Sequence, residues 1–352
     1  MMEGNSSSGL DSNLTCFSDF EATKYKVLLG LRVVLSLISA SFLVCMLFII
    51  IIFKKYVFFT QKLILLLATC SLAYDVVASM NVTALTAYRS KPDLYYCYVI
   101  GFFEQVATMA IIMAYFILAL DIFLRAVLDK QTEKLKLLYL MLVLSPILYS
   151  WVPFIFLAYG PIGAVCWIRN KNLEDCSDFL IGDYIMIAIF SVPFMTLLVT
   201  IIVLMVISLS FVRWKKKKWG GRKEEKRMRS KMEEEIRSLI YYPFVLVFIH
   251  TFGLITSLYD SLGDKDTIYD VLIFVSTIIY RFQGILICCI FVLDPETRKK
   301  LNRKEIVAAL KRMCMKDEEE SIRDYRAEAG RSDSLPKNMF DSIIYTQKLE
   351  IQ

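Results

Sequence analysis

The chain has 352 residues, of which 57% are hydrophobic and 22% are charged. A soluble domain has a similar charged fraction but only about 45–50% apolar residues, so the apolar excess must lie in segments that water does not reach. His250 is the one histidine, whereas catalytic zinc sites and much acid–base chemistry use several imidazoles. The apolar excess therefore predicts a membrane protein. Because the chain also has no Walker-type loop, dinucleotide fingerprint or CxxC pair, we expect that it is not an enzyme and has no cofactor, no metal and no nucleic-acid partner.

Seven apolar stretches are long enough to cross a bilayer, whose core of about 30 Å needs roughly 20 residues of helix. They contain at most two charged residues each and run over 27–53, 63–88, 97–124, 137–159, 184–212, 238–259 and 271–293. The connections between them are short. The sequence therefore predicts an all-α membrane protein, a seven-transmembrane helix bundle over 27–293.

The basic residues predict the orientation of this bundle. The segments on the N-terminal side of the membrane hold 7 Lys and Arg, and those on the other side hold 32. Because Lys and Arg concentrate in cytoplasmic loops, the N-terminus is expected outside and the C-terminus in the cytosol. We therefore expect residues 1–26 to form an extracellular tail without a cleaved signal peptide, and the protein to reside in the plasma membrane.

Glycosylation and disulfide sites fit the same orientation. Asn5, Asn13 and Asn81 each begin an Asn-x-Ser/Thr acceptor sequence on the predicted outer side, which predicts a glycoprotein. Four cysteines also fall there: Cys16, Cys97, Cys166 and Cys176. We expect Cys97, at the top of the third span, to pair with Cys166 rather than Cys176, but four cysteines allow three pairings and a Cys16–Cys176 bridge stays open.

Four short motifs lie in three of the predicted spans and in the second outer loop. They are Trp151-Val-Pro153 in the fourth span, Cys166-Trp167 in the second outer loop, Tyr242-Pro243 in the sixth span and Phe282-Gln283-Gly284 in the seventh. Together they resemble the G-protein-coupled receptors of the secretin-like and cyclic-AMP-receptor-like group, including its orphan branch. The resemblance covers roughly residues 27–313.

Departures from related receptors narrow this resemblance. The third span ends Leu120-Asp121-Ile122-Phe123 without an Asp-Arg-Tyr triplet, and the seventh lacks an Asn-Pro-x-x-Tyr pattern, which disfavours a rhodopsin-like receptor. The N-terminal tail, with one cysteine, is too short for the ectodomain of a hormone or adhesion receptor. The cyclic-AMP-receptor-like branch remains, and the resemblance implies an extracellular ligand and a heterotrimeric G-protein partner.

Charged groups inside a bilayer are costly and usually functional. Asp75, Glu104 and Arg281 lie within the second, third and seventh spans, which adjoin in the family that the chain resembles. We expect them to form a polar lock, or Glu104 and Arg281 to contact the ligand; a static ion pair that fixes helix register is the alternative. Trp167, His250 and Gln283 are further candidates for facing the ligand, although a lone histidine on an apolar span is more often a hydrogen-bonded core residue.

The predicted cytoplasmic side is strongly basic. The segment 213–237 holds twelve Lys and Arg, and Arg125, Lys215 and Arg237 are candidates for contacting a G protein. Anionic lipids of the inner leaflet would attract the same charges. Residues 294–314 are predicted to form an amphipathic juxtamembrane helix with a palmitoylation candidate, Cys314, and the acidic tail 315–352 is expected to be disordered.

The sequence thus favours a cell-surface receptor that couples an extracellular ligand to a heterotrimeric G protein and contacts membrane lipids. A small-solute transporter or channel is the first alternative, but it would favour internal repeats and several membrane carboxylates. A receptor-like scaffold that does not couple to G proteins is the second.

Overall fold

The computed structural model describes residues 23–53, 59–90, 94–128, 132–162, 165–169, 172, 177, 179–218, 239–256, 267–302, 304–309 and 311. Its helices, in chain order, are α1 (Thr23–Ile52), α2 (Phe59–Ser90), α3 (Leu94–Ala126), α4 (Lys136–Tyr149), α5 (Val152–Ile155), α6 (Leu180–Met186), α7 (Val192–Lys218), α8 (Leu239–Thr256), α9 (Thr267–Arg281), α10 (Gln283–Leu293) and α11 (Pro295–Lys300). One antiparallel hairpin, β1 (Tyr159–Ile162) and β2 (Val165–Ile168), precedes α6.

Six spans are long and apolar enough to cross a membrane, and the bent pair α9–α10 would make a seventh. Large apolar side chains such as Phe48, Leu148, Val206 and Phe244 are exposed on the bundle surface, which suits contact with lipid. These features indicate a multi-pass membrane protein, in agreement with the predicted helical bundle. The hairpin was not predicted.

Helix α3 forms the centre of the bundle. In its apolar window 61% of the residues are buried, against 17% in the span that contains α7, so α7 lies at the periphery. Met109, Ile112, Tyr115 and Ile117 of α3 are almost completely buried in the main hydrophobic core, to which α1, α2, α4, α7, α8 and α10 also contribute.

The fourth predicted span, 137–159, begins within one residue of α4 but extends too far toward the C-terminus. Helix α4 ends at Tyr149, α5 is a single turn with Pro153 in its first turn, and Tyr159 already belongs to the hairpin. Proline is well tolerated there because the first turn of a helix has no backbone partner for its N–H groups. The buried Tyr159 hydroxyl donates a 2.8 Å hydrogen bond to the Ser150 carbonyl, and burial raises the pKa of this phenol above its usual value.

Between α6 and α7 the helix widens into one π turn over Ile187–Ser191. The Val192 N–H donates to the Ile187 carbonyl, five residues earlier. Pro193 follows directly and has no N–H to continue the ordinary ladder, and its ring would clash with the carbonyl four residues before it. The wider turn accommodates both effects without ending the helix.

The seventh predicted span, 271–293, consists of two helices. Helices α9 and α10 are separated by Phe282 and bent by 43°. Beyond the bend, a Cβ at Gly284 would lie 2.3 Å from the Ser39 hydroxyl oxygen and 2.7 Å from Leu43 Cδ1. Only glycine therefore lets α10 approach α1 this closely.

The hairpin packs over the start of α3. Cys97 of α3 and Cys166 of β2 form a disulfide, and a Cβ at Gly101 would lie 3.3 Å from the Trp167 backbone. The residue that follows β2, Arg169, lies against α6, since a Cβ at Gly182 would overlap the Arg169 carbonyl. The part of the bundle around Cys97 is called the hairpin end below.

A second compact unit begins at Glu296. Its described part contains the rest of α11 and a helical segment over 304–309, with a turn at Leu301 and Asn302 between them. The predicted amphipathic helix of 294–314 is therefore interrupted after Lys300. The tails 1–22 and 312–352 lie outside the described residues, as does the expected disorder of 315–352.

Candidate functional site

Four buried charged residues lie in the helices near the hairpin end. They are Arg32 of α1, Asp75 of α2, Glu104 of α3 and Arg281 at the end of α9, and each is at most 8% exposed. We call them the ion cluster. Arg32 Nη2 donates to Glu104 Oε1 at 2.9 Å, and Arg281 Nη2 lies 3.9 Å from the same oxygen.

The ion cluster places two guanidinium groups beside two carboxyl groups, an arrangement that makes buried charge tolerable. Asp75 interacts electrostatically with Arg281 and Glu104 and lies close to Ser39. The Arg281 guanidinium also rests over the Tyr74 ring, 4.9 Å from its centroid, where the negative face of the ring stabilises a cation. The structure thus brings the three predicted lock residues into one group and adds Arg32.

Asn81 ties the ion cluster to the hairpin. Its Oδ1 accepts the Cys166 N–H at 2.7 Å, and its Nδ2 donates to the Cys166 carbonyl at 3.0 Å and to Glu104 Oε2 at 3.4 Å. Asn81 has no exposed surface, and the nitrogen that would carry the predicted glycan is buried and hydrogen-bonded, which argues against a glycan on the folded protein. The acceptor tripeptide is only a local pattern, whereas burial depends on packing.

A row of aromatic rings runs from the hairpin to α9. The Trp167 ring of β2 stacks edge-on with Phe190 of the π turn, with ring centroids 4.7 Å apart, and Phe190 stacks on Phe194 at 5.5 Å. Phe194 then meets His250 of α8 at 4.8 Å, and His250 Nδ1 and the Tyr280 hydroxyl are 2.8 Å apart. These five residues are the aromatic row. His250 is thus a hydrogen-bonded core residue within it.

Both groups end on neighbouring residues. The ion cluster reaches Arg281 and the aromatic row reaches Tyr280, directly before the bend at Phe282. Just past the bend, Gln283 Nε2 donates to the Tyr115 hydroxyl of α3 at 3.4 Å. A displacement of the hairpin therefore has two contiguous routes to the α9–α10 bend.

A third polar group lies at the other end of α3. Arg125 Nε lies 3.1 Å from Asp121 Oδ2 and its guanidinium lies over the Phe59 ring of α2 at 5.4 Å. Phe59 in turn stacks on Tyr139 of α4. With 28 residues and 1.5 Å per residue, Arg125 is about 40 Å along α3 from Cys97. The predicted coupling residue is thus held by an ion pair within α3 and by one ring of α2, and that ring packs on α4.

Some predicted residues lie outside the described part of the chain. They are Asn5, Asn13, Arg237, Cys314 and Cys176. Lys215 belongs to α7, but its side chain is not among those described. Among the candidates for facing a ligand, Glu104 and Arg281 belong to the ion cluster, and Trp167 and His250 to the aromatic row.

Arg32, Asn81, Gln105 and Tyr280 are structural members of the site that were not predicted. Gln105 Oε1 accepts the Trp167 Nε1–H at 2.7 Å. Arg32 had a clear signal, because it is the one charged residue of the first span and the rule that selected Arg281 applies equally to it. Asn81 and Gln105 had none, because the rule selects ionisable groups and the partners of these amides are 85 and 62 residues away in sequence.

The described contacts of the site are hydrogen bonds, ion pairs and ring contacts, which a change in helix packing can rearrange. Within the described ranges, no three His, Cys, Asp or Glu residues could hold a metal ion together. Comparison with known proteins adds no family: no family model matches the chain, and no curated protein matches it either.

Proposed function

We propose that the protein is a cell-surface receptor that transmits an extracellular signal to a heterotrimeric G protein. A ligand at the hairpin end binds one packing of the helices better than another and thereby shifts their populations. The observation that carries this proposal is the convergence of the ion cluster and the aromatic row on Tyr280 and Arg281, beside the α9–α10 bend.

The ion cluster is suited to a two-state element. Glu104 shares its carboxylate between Arg32 and Arg281, at 2.9 and 3.9 Å, so a small rotation of α9 would exchange the shorter contact. Because buried groups prefer discrete pairings to intermediate ones, such an exchange favours two arrangements rather than a continuum.

In this proposal the α9–α10 pair is the seventh span, the hairpin end faces outside, and the protein resides in the plasma membrane. The distribution of Lys and Arg supports this orientation, since 32 of the 41 fall in segments that the sequence assigns to the same side of the membrane as Arg125. The disulfide of the hairpin also fits the oxidising exterior.

The opposite end would receive the G protein. There Arg125 is held by Asp121 and Phe59, and the basic segment 213–237 joins α7 to α8. Movement of α8 relative to α3 would open a basic cleft whose charge attracts the acidic partner surface. Lys215 and Arg237, with the juxtamembrane segment around Cys314, remain candidates for this contact.

The test is guanine-nucleotide exchange on a panel of purified heterotrimers, with the protein reconstituted in lipid discs and a small-molecule tissue extract added or omitted. We expect exchange on at least one heterotrimer and a several-fold change with Arg281→Ala. The absence of exchange on every heterotrimer would contradict the proposal.

Thr69→Ala is the matched control for this experiment. The exposed Thr69 hydroxyl donates only to the Leu65 carbonyl of its own helix, so its loss should leave exchange unchanged. A similar change with both variants would show that the assay reports general damage to the bundle. Size-exclusion profiles of both variants check that each remains folded.

A small-solute transporter is a second candidate, because a broken helix beside buried charges also occurs in transporter binding sites. Uptake of radiolabelled small ions and amino acids into proteoliposomes distinguishes the two. Uptake that depends on Arg281 without nucleotide exchange would support the transporter. The absence of both activities would favour a receptor-like scaffold.

A further inference from the structure

The guanidinium of Arg281 is buried but poorly paired. The residue is 4% exposed, and its closest carboxylate oxygen lies 3.9 Å from Nη2, beyond hydrogen-bond distance. Among the residues that the structure describes, its Nε and Nη1 have no hydrogen-bond partner. One face of the group rests on Tyr74, so its free N–H groups are directed along the plane of the guanidinium.

The neighbouring carboxylates do not satisfy these donors. Glu104 is already bound by Arg32 at 2.9 Å and by Asn81 at 3.4 Å, and the second contact ties it to the hairpin. Asp75 acts on Arg281 only electrostatically, and its Oδ2 has no hydrogen-bond partner. Arg32 Nε is also without a partner.

The position of Arg281 suits a ligand that enters past the hairpin. Asn81 holds both Cys166 of β2 and Glu104, so the hairpin and the ion cluster are separated by one side chain. A ligand that displaces the hairpin reaches the buried donors of Arg281 with little further movement.

We propose that Arg281 binds an anionic group of the ligand, a carboxylate or a phosphate. This inference rests on the proposed receptor function and names the chemistry that its ligand must carry. A guanidinium is permanently charged, and its planar fork matches the two oxygens of such an anion. The anion supplies acceptors for the N–H groups of Arg281 that Glu104 does not bind, and Glu104 stays paired with Arg32.

The anionic group can belong to a soluble molecule or to a lipid, and two arms of one experiment separate these sources. The protein is placed in phosphatidylcholine discs, and its thermal unfolding midpoint is measured against increasing inorganic phosphate, acetate and succinate, with neutral succinamide as the matched control. In the second arm the discs contain phosphatidic acid or oleate and no soluble anion is added.

We expect at least one anion to raise the unfolding midpoint in a saturable way, whereas succinamide does not. The apparent affinity should fall about ten- to hundredfold in Arg281→Gln, the usual loss for a hydrogen-bonded charge pair, and less in Arg281→Lys, which keeps the charge. Lys62→Gln removes one positive charge at an exposed position of α2 and should bind like the wild type.

Three results would overturn the inference: no anion in either arm raises the midpoint, the rise is equally large in Arg281→Gln, or the rise does not saturate. If Arg281→Gln does not fold, phenylglyoxal labelling of the wild type provides the test. Saturating anion should protect the Arg281 peptide but not the Arg125 peptide, and equal labelling with and without anion contradicts the inference.

These measurements require no G protein, so they fail separately from the proposed function. Anion binding without nucleotide exchange would support the anion site and contradict the coupling to a G protein. Nucleotide exchange without anion binding at Arg281 would support the receptor function and contradict the proposed ligand chemistry.

Discussion

Replacing Asn81 should release the hairpin from the bundle. In Asn81→Ala, the N–H and carbonyl of Cys166 both lose their partner, and Cys166 is completely buried. An orphaned buried group costs about 1–3 kcal/mol, so the variant should lose about 2–6 kcal/mol of unfolding free energy. The weaker 3.4 Å contact with Glu104 adds little to this loss.

Two measurements check this prediction. The thermal unfolding midpoint should fall, and hydrogen–deuterium exchange should accelerate in the peptide that contains Cys166, because its N–H is held by Asn81 alone on that side of β2. The disulfide should remain intact, since Cys97 is bound covalently to Cys166. The loss is therefore local to the hairpin and the helices below it.

Thr83→Ala is the matched control, because it destroys the same glycosylation tripeptide without touching the Asn81 amide. Thr83 is exposed, and its hydroxyl bonds weakly to the Ser79 carbonyl at 3.4 Å. We expect a far smaller loss of stability than in Asn81→Ala, and the same electrophoretic mobility as the wild type before and after glycosidase treatment. Equal destabilisation by the two variants, or a glycan that disappears with Thr83→Ala, would refute the reasoning.

Three further changes test other contacts of the bundle. Arg32→Gln should cost about 3–5 kcal/mol, because it leaves Glu104 buried with only the distant Arg281; denaturant titration checks this, and a loss below about 1 kcal/mol would contradict a working ion pair. Gly284→Ala should cost about 1–3 kcal/mol through overpacking against Ser39 and Leu43, and adding Ser39→Ala should recover part of the lost unfolding midpoint; no recovery would place the strain elsewhere. Cys97→Ser should lower stability by about 2–4 kcal/mol, and reduction of the wild type should produce the same shift in the midpoint, whereas a wild type indifferent to reductant would refute the contribution of the bridge.

The spans were predictable because the bilayer imposes one simple requirement. An apolar stretch of about 20 residues is visible without any knowledge of packing, and the helices α1, α2 and α3 extend only a few residues beyond the predictions 27–53, 63–88 and 97–124. The same rule could not show the bend at Phe282, because no proline marks it and the length and apolar content of the segment do not depend on whether the helix is straight.

The charged residues of the site could be predicted from the sequence, whereas its amide residues could not. Arg281 and Glu104 were selected because buried charge is costly, and the structure brings them together. Asn81 was interpreted as a glycosylation site because its neighbours in sequence form an acceptor tripeptide. Its real partners are Cys166 and Glu104, and contacts across 85 and 23 residues leave no trace in a local pattern.

The π turn at Ile187–Ser191 sets which side of the helix before it faces the hairpin. Each residue of an α-helix turns the chain by about 100°, so deleting one residue here would rotate everything before it by that angle and bring back the clash that Pro193 makes in an ordinary helix. Gly182 would then leave the Arg169 carbonyl, and Phe190 would leave Trp167. The extra residue of the π turn thus rotates α6 relative to α7, so that α6 faces the hairpin and α7 faces the rest of the bundle.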